Sequence, residues 1–489
     1  MYRFHRRNFL KGTGILGLQL LSGSTILTLS NLAKADASLP VQSLLTTLNP
    51  ADAVLVVPTT AGYANYQTSF NKRTQVNTAV RALVKNASGV AACLKWAADN
   101  NISFSVRGGG HSYEGYSQNE QLVIDMRLVK NVSVDSTNQT AVFGAGFALG
   151  EVYQVLTKAG FIIPGGSCPT VGIVGHATGG GFGLLARKLG LACDNVKSAQ
   201  MVDARGNILT LSENENSDLF WAIRGGGNGQ FGVVTQLEFN IHPITQVIVY
   251  GVGWDLSADK ALKVFEKWQQ LAPNLVDDIA SLMKISKSPD GNVALRCIGQ
   301  TTGALPDLKT FLQNLIAVEL TSAPVFYKTE AMADAISHFA GAPGYPSVFM
   351  KGKSDYLTAP MSTQGVQMLI SQIMNLPAGT VEAMCDAYGG AINRVASDAM
   401  AFFHRNTTQY SIQYYSQWGS AGSTDSRLQM IRSLYTAMRP YVSGQCYVNY
   451  CDMDIADYRT AYWGDNVPRL QQIKAMIDPL NIFKHKQGI

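Results

Sequence analysis

The chain is poor in metal-binding groups and has none of the spacing that metals require. Seven cysteines are spread over 489 residues, and no two form a C-x-x-C pair, which excludes a zinc ribbon or finger. Charge is also scarce: Asp, Glu, Lys and Arg make up 15% of residues, with a net charge of +5. Five cations (Arg3, Arg6, Arg7, Lys11 and Lys34) fall in the first 35 residues, which hold no acid, so the remainder is balanced. That leaves no basic face of the kind nucleic acid needs. No long apolar run follows residue 29, so no stable membrane span is expected. Internal repeats, low-complexity tracts and charged linkers are absent as well. What is there is a globular composition, 46% hydrophobic, with 46 glycines and 20 tyrosines. The length exceeds one ordinary core, so two domains are expected.

The first 35 residues read as an export leader. HRRNFLKG precedes an apolar run from Ile15 to Leu29, followed by the small-x-small site Ala33-Lys34-Ala35,. Arg6 and Arg7 followed by Phe9, Leu10 and Lys11 are similar to a twin-arginine signal; a general secretory signal with two arginines is the alternative. An exported protein, periplasmic or secreted, is expected. A chain that binds its cofactor while folding has reason to cross a membrane already folded.

Two glycine-rich stretches dominate the chain beyond the leader. The first, RGGGHSYEGY, runs from Arg107 to Tyr116; three successive glycines let backbone approach a ligand, and free amides in a turn cradle an anion. His111 comes directly after them. The second, GGSCPTVGIVGHATGGGFG, holds Cys168. A third cluster, AIRGGGNGQFGVVT (Ala222 to Thr235), reads equally as a tight turn or a ligand contact. Around these, Ser88 to Asn100 reads as a helix with Ser88 as N-cap. ISFSVR and LVIDMR read as strands, and FALGEVYQVLTKAG as an amphipathic helix ending on Gly160. SAQMVDARGNILTL reads as a hairpin, and Asp36 to Asn71 as a polar loop. The irregular alternation favours α+β over a doubly wound sheet. Gly179 to Gly183 precedes LLARKLGL, but no buried strand leads into it, which argues against a Rossmann dinucleotide site.

Together the two loops resemble the flavin-binding half of the berberine bridge enzyme-like family, within the vanillyl-alcohol-oxidase (PCMH-type) flavoproteins. The terminal DPLNIFKHKQGI is similar to that family as well. The resemblance implies a two-part FAD-binding domain over residues 36–243 and a substrate domain over 244–444 whose antiparallel sheet is covered by helices. Residues 445–489 would return to the FAD domain. It implies FAD held covalently through His111 and Cys168, with the backbone of Arg107, Gly108, Gly109 and Gly110 on the pyrophosphate. Ser112, Gly166, Thr170, Val171, Gly172, Gly175, His176, Gly179, Gly180, Gly232 and Val233 are the further expected cofactor contacts.

Three stretches carry the candidate chemistry. QCYVNYCDMDI, Gln445 to Ile455, reads as a strand with Tyr450 and Val448 facing away from Tyr447 and Asn449. It resembles the family's YxNYxDxD motif, which points to Tyr450 as catalytic base and as a cofactor neighbour. A phenol is a poor base at neutral pH unless neighbours stabilise its anion. In YSIQYYSQW, Ser411, Gln413 and Tyr415 share one face; by resemblance Gln413 lies near the flavin ring and, being neutral, orients substrate or Tyr450. In CDAYGGAI, Asp386 precedes a Gly-Gly turn and is the candidate partner of Tyr450. His404-Arg405 is expected to be structural. Cys446 and Cys451 could pair, but connectivity stays open.

The resulting expectation is a bicovalent FAD oxidase. It would take hydride from an alcohol carbon, at an oligosaccharide reducing end or a secondary alcohol of a natural product, and pass electrons to O2 to give H2O2. The small Val171 after Cys-Pro-Thr fits an oxidase by resemblance. A same-fold dehydrogenase and a catalytically silent flavin-binding protein are the alternatives. No metal site is expected, because His111, His176 and His404 follow no ligand spacing.

Overall fold

A computed structural model describes residues 39–227, 229–340 and 347–489; the leader therefore lies outside the described residues. Three sheets build the molecule. The first has the order β1 (Ala53–Val56), β2 (Val80–Val84), β4 (Leu122–Asp125), β3 (Phe104–Arg107). β2 and β4 pair in parallel and are buried along their whole length; the charges they carry, Arg81 and Asp125, pair with each other at 2.9 Å. The second sheet is antiparallel, in the order β5 (Val132–Asp135), β6 (Thr140–Gly144), β9 (Val233–Asn240), β7 (Val196–Val202), β8 (Ile208–Leu211). β7 and β8 are the hairpin expected from SAQMVDARGNILTL.

The third sheet has seven antiparallel strands. Its order is β13 (Phe326–Ala331), β10 (Gln246–Leu256), β12 (Val293–Thr301), β11 (Ile279–Lys287), β15 (Glu382–Ala387), β16 (Tyr410–Trp418), β14 (Phe349–Leu357). One face is packed by the helices Ala258–Leu271, Thr363–Met374 and Thr424–Met438 over a core containing Trp268, Phe265, Tyr410 and Ile412. The period-2 alternation of β11, β15 and β16 sends Lys284, Asp386, Gln413 and Tyr415 to the other face, where they meet a cavity. The class is α+β. The helix Ala186–Leu189 after Gly179–Gly183 follows another helix, Ile173–Thr178, and not a strand.

Several sequence expectations are corrected. The helix Ala87–Asp99 is capped by Asn86, whose side chain accepts the Gly89 amide at 3.0 Å, and not by Ser88. Gly89 is required there, because a Cβ would sit 2.4 Å from the Asp52 carbonyl oxygen. The supposed loop 36–71 contains the helix Val41–Thr47 and β1; four residues hold as a strand because β2 supplies the partner. QCYVNYCDMDI is not a strand. Val448–Tyr450 form a 3-10 turn, which brings the rings of Tyr447 and Tyr450 together, 4.9 Å apart and edge to face. All seven cysteines are unpaired; the Cys446 thiol donates to the Ser354 carbonyl at 3.0 Å.

The first glycine loop, the edge strand β14 and the C-terminal segment are locked by buried charge. Lys351 on β14 reaches Glu114, three residues past His111, and Asp452, two past Tyr450; all three side chains are at most 2% exposed. Lys353 pairs with Asp452 at 2.6 Å and Asp454 at 2.8 Å, and Arg73 with Glu114 at 2.8 Å. Burial opposes charge on Lys351, yet Asp452 and Glu114 outweigh it and raise the pKa. Burial likewise opposes ionisation of Asp454, but Arg432, Lys353 and Lys351 hold its carboxyl well below the usual range.

Removing Lys351 takes one cation from each of two buried carboxylates and leaves Arg73 on Glu114 and Lys353 on Asp452. Lys351→Ala should therefore cost about 3 kcal/mol in urea unfolding, the low end for a broken buried pair; an unchanged midpoint would show the network to be dispensable. The wild-type contribution should be full between the ordinary Asp value of 3.8 and the ordinary Lys value of 10.5. The lowered Asp454 pKa makes it fall away below that window, and the raised Lys351 pKa makes it fall away above.

Candidate active site

β3 ends at Arg107 and delivers the first glycine loop; the second loop lies against it. A Cβ on Gly109 would come within 2.3 Å of the Gly172 amide nitrogen, and one on Gly172 within 2.4 Å of the Gly109 nitrogen. Only glycine permits that approach. The contact sets His111 and Cys168 into the wall of one cavity of about 1160 Å³. Gly108, Gly109, Gly110, Ser112, Gly166, Val171, Gly172, Gly175, His176, Gly232 and Val233 also line it. Arg107, Thr170, Gly179 and Gly180 do not. Arg107 turns to Asp125, 3.8 Å away; Gly179 lies under Asn449, and Gly180 under Phe402 and Tyr447.

The two candidate tethers differ in their surroundings. The His111 ring stacks on Phe70, centroids 4.4 Å apart, and Nε2 meets the Thr170 hydroxyl at 2.8 Å. Burial and the Arg107 charge bring its pKa down to about 4, so the imidazole is neutral with a usable lone pair. Cys168 is open to the cavity. Lost hydration raises its thiol pKa, and the ammonium of Lys284 pulls it the other way. His176 is committed elsewhere: its Nε2 accepts the Gly166 amide at 3.0 Å.

Above this floor stand the roof residues. Tyr450 stacks on Tyr113 at 5.6 Å, the planes 9° apart. The Gln413 amide donates to the Tyr113 hydroxyl at 2.7 Å, so Gln413 reaches Tyr450 through Tyr113. Room for the Tyr113 ring comes from Gly352 on β14, where a Cβ would stand 2.5 Å from it. Burial, then the charge of Asp386, raises the Tyr450 pKa well above its ordinary value. Burial pushes the Asp386 carboxyl up to about 7, against Lys284 and the Ser411 hydroxyl. Asp386 and Tyr450 thus line one cavity, and the charge of each bears on the other. In register, Lys284 lies level with Met384 and Gln413, and Ser286 with Glu382 and Tyr415. Lys284 pairs with Glu382 at 3.0 Å. Tyr447 and Asn449 bolt the turn to the floor: the Tyr447 hydroxyl accepts the Gly181 amide at 2.8 Å, and the Asn449 amide donates to the His176 carbonyl at 3.0 Å.

His404 lies outside the cavity, its Nε2 at 3.0 Å from the Tyr462 carbonyl, and Arg405 pairs with Asp194. Among the described residues no cluster of three or more His, Cys, Asp or Glu could hold a metal. Sequence reasoning missed Tyr113 and Lys284. Tyr113 sits two residues past His111 within the same motif. Lys284 could be assigned to the face opposite Met283 and Ile285, but nothing local says that this face lines a cavity.

The wall suits a flat ligand carrying phosphates. Among the described residues, the amides of Gly110, His111 and Ser112 find no backbone acceptor, which leaves three successive N–H groups for an anion. A Cβ at Gly175 or Gly229 would meet nothing within 4 Å, so bare backbone there leaves the space open. Comparison with known proteins agrees. Residues 78–212 match the model of an FAD binding domain, and residues 446–489 the model described as berberine and berberine like. The FAD-linked oxidoreductase YgaK of Bacillus subtilis is 33% identical, over 87% of this chain and 94% of its own. Berberine bridge enzyme-like 25 of Arabidopsis thaliana is 34% identical, over 79% of each. Among solved structures, BBE-like 1 of Physcomitrella patens superposes with a TM-score of 0.84 at 30% identity, covering 91% of this chain and 98% of that one. Berberine bridge enzyme from Eschscholzia californica gives 0.83 at 26%, covering 92% and 98%. Fold, glycine loops and sequence likeness over most of the chain agree: it belongs to the berberine bridge enzyme-like family of FAD-linked oxidoreductases.

Proposed function

We propose that this chain is an exported alcohol oxidase whose FAD is bound covalently through both His111 and Cys168. The observation that carries the reading is that these two side chains share one cavity with Tyr450 and Asp386. Bound there, FAD supplies an acceptor for hydride and a route for the electrons to O2, which leaves as H2O2. Everything else falls to the chain. The amides following Arg107 hold the pyrophosphate. Thr170 occupies Nε2 of His111 and leaves Nδ1 for the bond to the flavin. Cys168 would supply the second bond through its sulfur, losing the thiol proton; the electron pair that each bond puts on the flavin would leave to O2, the oxidant already named. The division into an FAD domain over 36–243, a substrate domain over 244–444 and a returning segment over 445–489 follows the same reading, and export rests on the twin-arginine pattern of residues 1–35.

The substrate hydroxyl meets Tyr450. Its phenol alone resists ionisation, so the pair acts as one base: Tyr450 releases its proton towards Asp386 as it takes the substrate's. Gln413 holds Tyr113 against Tyr450 and keeps the phenol in place. The roof presents Lys284, Glu382, Gln413, Tyr415 and Gln417 to the cavity, a row of donors and acceptors suited to a polyhydroxylated substrate. An oligosaccharide oxidised at its reducing end is therefore favoured over an apolar secondary alcohol. A dehydrogenase with another electron acceptor is the second reading, since a variant of berberine bridge enzyme 25% identical to this chain is described as a reticuline dehydrogenase. Peroxide formed under air separates the two.

Acid-precipitated protein should keep its yellow colour and weigh one FAD more than the bare chain. His111→Ala or Cys168→Ala alone should keep the mass, and the double variant should release all colour. Colour lost from the wild type would end the bicovalent reading. For the base, kcat/KM should rise with pH through about 7 as Asp386 loses its proton. Asp386→Asn should flatten that limb and Tyr450→Phe should lower kcat about 10²–10⁴-fold. A limb retained in Asp386→Asn would assign the proton acceptor elsewhere.

A further inference from the structure

One wall of the cavity belongs to neither glycine loop nor roof. It is formed by Ile482, Phe483, Lys484 and His485, near the end of the chain. The rest of the molecule holds this segment firmly. Lys474 Nζ donates to the carbonyls of Phe483 at 2.6 Å and Gln230 at 2.7 Å. Asp478 accepts the Phe483 amide at 2.9 Å. The Tyr116 hydroxyl donates to Gln487 at 2.7 Å, and Phe483 packs edge-on against Phe104 at 5.7 Å.

Within this fixed segment His485 is anomalous. Its ring stacks on Tyr116, centroids 4.4 Å apart. Both ring nitrogens are cut off from solvent, and among the described residues neither has a hydrogen-bond partner. Four of the other five described histidines have one: His111 has Thr170, His176 has Gly166, His242 has Asn195 and His404 has Tyr462; exposed His338 has Glu330 at 3.8 Å. Ser105, which also lines the cavity, has its hydroxyl in the same idle state. Buried polar groups are rarely left so, because an unmade hydrogen bond costs more than a made one gains. Burial holds the His485 pKa near 4, so its ring is neutral and offers one donor and one acceptor.

We infer that His485, together with Ser105, recognises the adenosine half of FAD, so that the C-terminal tail is part of the cofactor site. The half is assigned by the neighbours. His111 and Cys168 claim the ring end, whereas Tyr116, Phe104 and Phe483 around the tail come from the first sheet, its loop and the tail itself. A ribose hydroxyl or an adenine edge each offers a donor and an acceptor, matching a neutral imidazole. This rests on FAD occupying the cavity with its ring end at His111 and Cys168, whether or not either bond forms.

The test uses the tether-free double variant His111→Ala/Cys168→Ala, titrated with FAD and, separately, with FMN, which lacks the adenosine half. His485→Phe keeps the stack on Tyr116 and removes both nitrogens. It should weaken FAD about tenfold and leave FMN unchanged, while His485→Gln should stay within about threefold of the parent. FAD-free melting temperatures should be equal, because the nitrogens bond to nothing in the FAD-free fold. In the wild-type background, loaded His485→Phe protein should exchange the amides of residues 482–489 faster than loaded parent. An unchanged FAD affinity, an equal loss for FMN, or a lower FAD-free melting temperature would overturn the inference. A parent and wild type that both fail to hold FAD would instead bring down the reading of the cavity, and the inference with it.

Discussion

Four buried charges, from three distant parts of the chain, meet out of water. Glu114 belongs to the first glycine loop, Lys351 and Lys353 to the edge strand β14, and Asp452 to the segment that carries Tyr450. None can be left alone, since the desolvation of a single buried ion far exceeds what local packing repays. Such a network has one arrangement that satisfies every member. It therefore fixes the loop that presents His111, the strand against which Tyr113 packs, and the turn that presents Tyr450. The cavity's two sides are thus tied by charge as well as by apolar contacts.

The same division explains what could be read from the sequence. Locally determined elements were legible: the helix ending on Gly160, the strand entering the first glycine loop, the hairpin of β7 and β8, and the alternation of β16 that sends Gln413 to one face. Elements set by partners were not. Tyr450 was expected on a strand, opposite Tyr447, because its motif alternates. In the fold, the bonds of Cys446 to Ser354, Tyr447 to Gly181 and Asn449 to His176 coil that stretch into a 3-10 turn and place both rings side by side. β1 was unreadable for the same reason, since its stability lies in β2. The cap of the helix Ala87–Asp99 was misjudged by two residues because Asn86 and Ser88 are both good caps, and only the Asp52 contact, which excludes a side chain at Gly89, decides the register. Of the site, the glycine loops and the candidate tethers stood out in sequence; Tyr113, Lys284 and the idle nitrogens of His485 became visible only once distant strands were assembled.

The cavity joins three chemistries with separate tasks. Bare backbone amides and glycines form the floor, where charge and flatness matter. In the proposed reading, neutral His111 and accessible Cys168 supply the nucleophiles. The roof supplies a carboxyl whose burial sets it near 7 and a phenol that burial and that carboxyl's charge keep protonated. Lys284 acts on two of these groups, opposing the burial that raises the pKa of both Cys168 and Asp386, so floor and roof share one electrostatic field as well as one space. The C-terminal tail adds a fourth wall, tied through Gln487 to the carbonyl of Asp452 at 2.8 Å and so to the same ion network.

The central claim is that two side chains far apart in sequence grip one flavin. Digestion of the denatured protein with trypsin tests it most directly. Residues 108–127 hold His111 and residues 159–187 hold Cys168, each bounded by Lys or Arg. The account predicts one species whose mass is the sum of both peptides and a single cross-linking flavin. Two separate flavin-free peptides, or two peptides each carrying its own flavin, would contradict it.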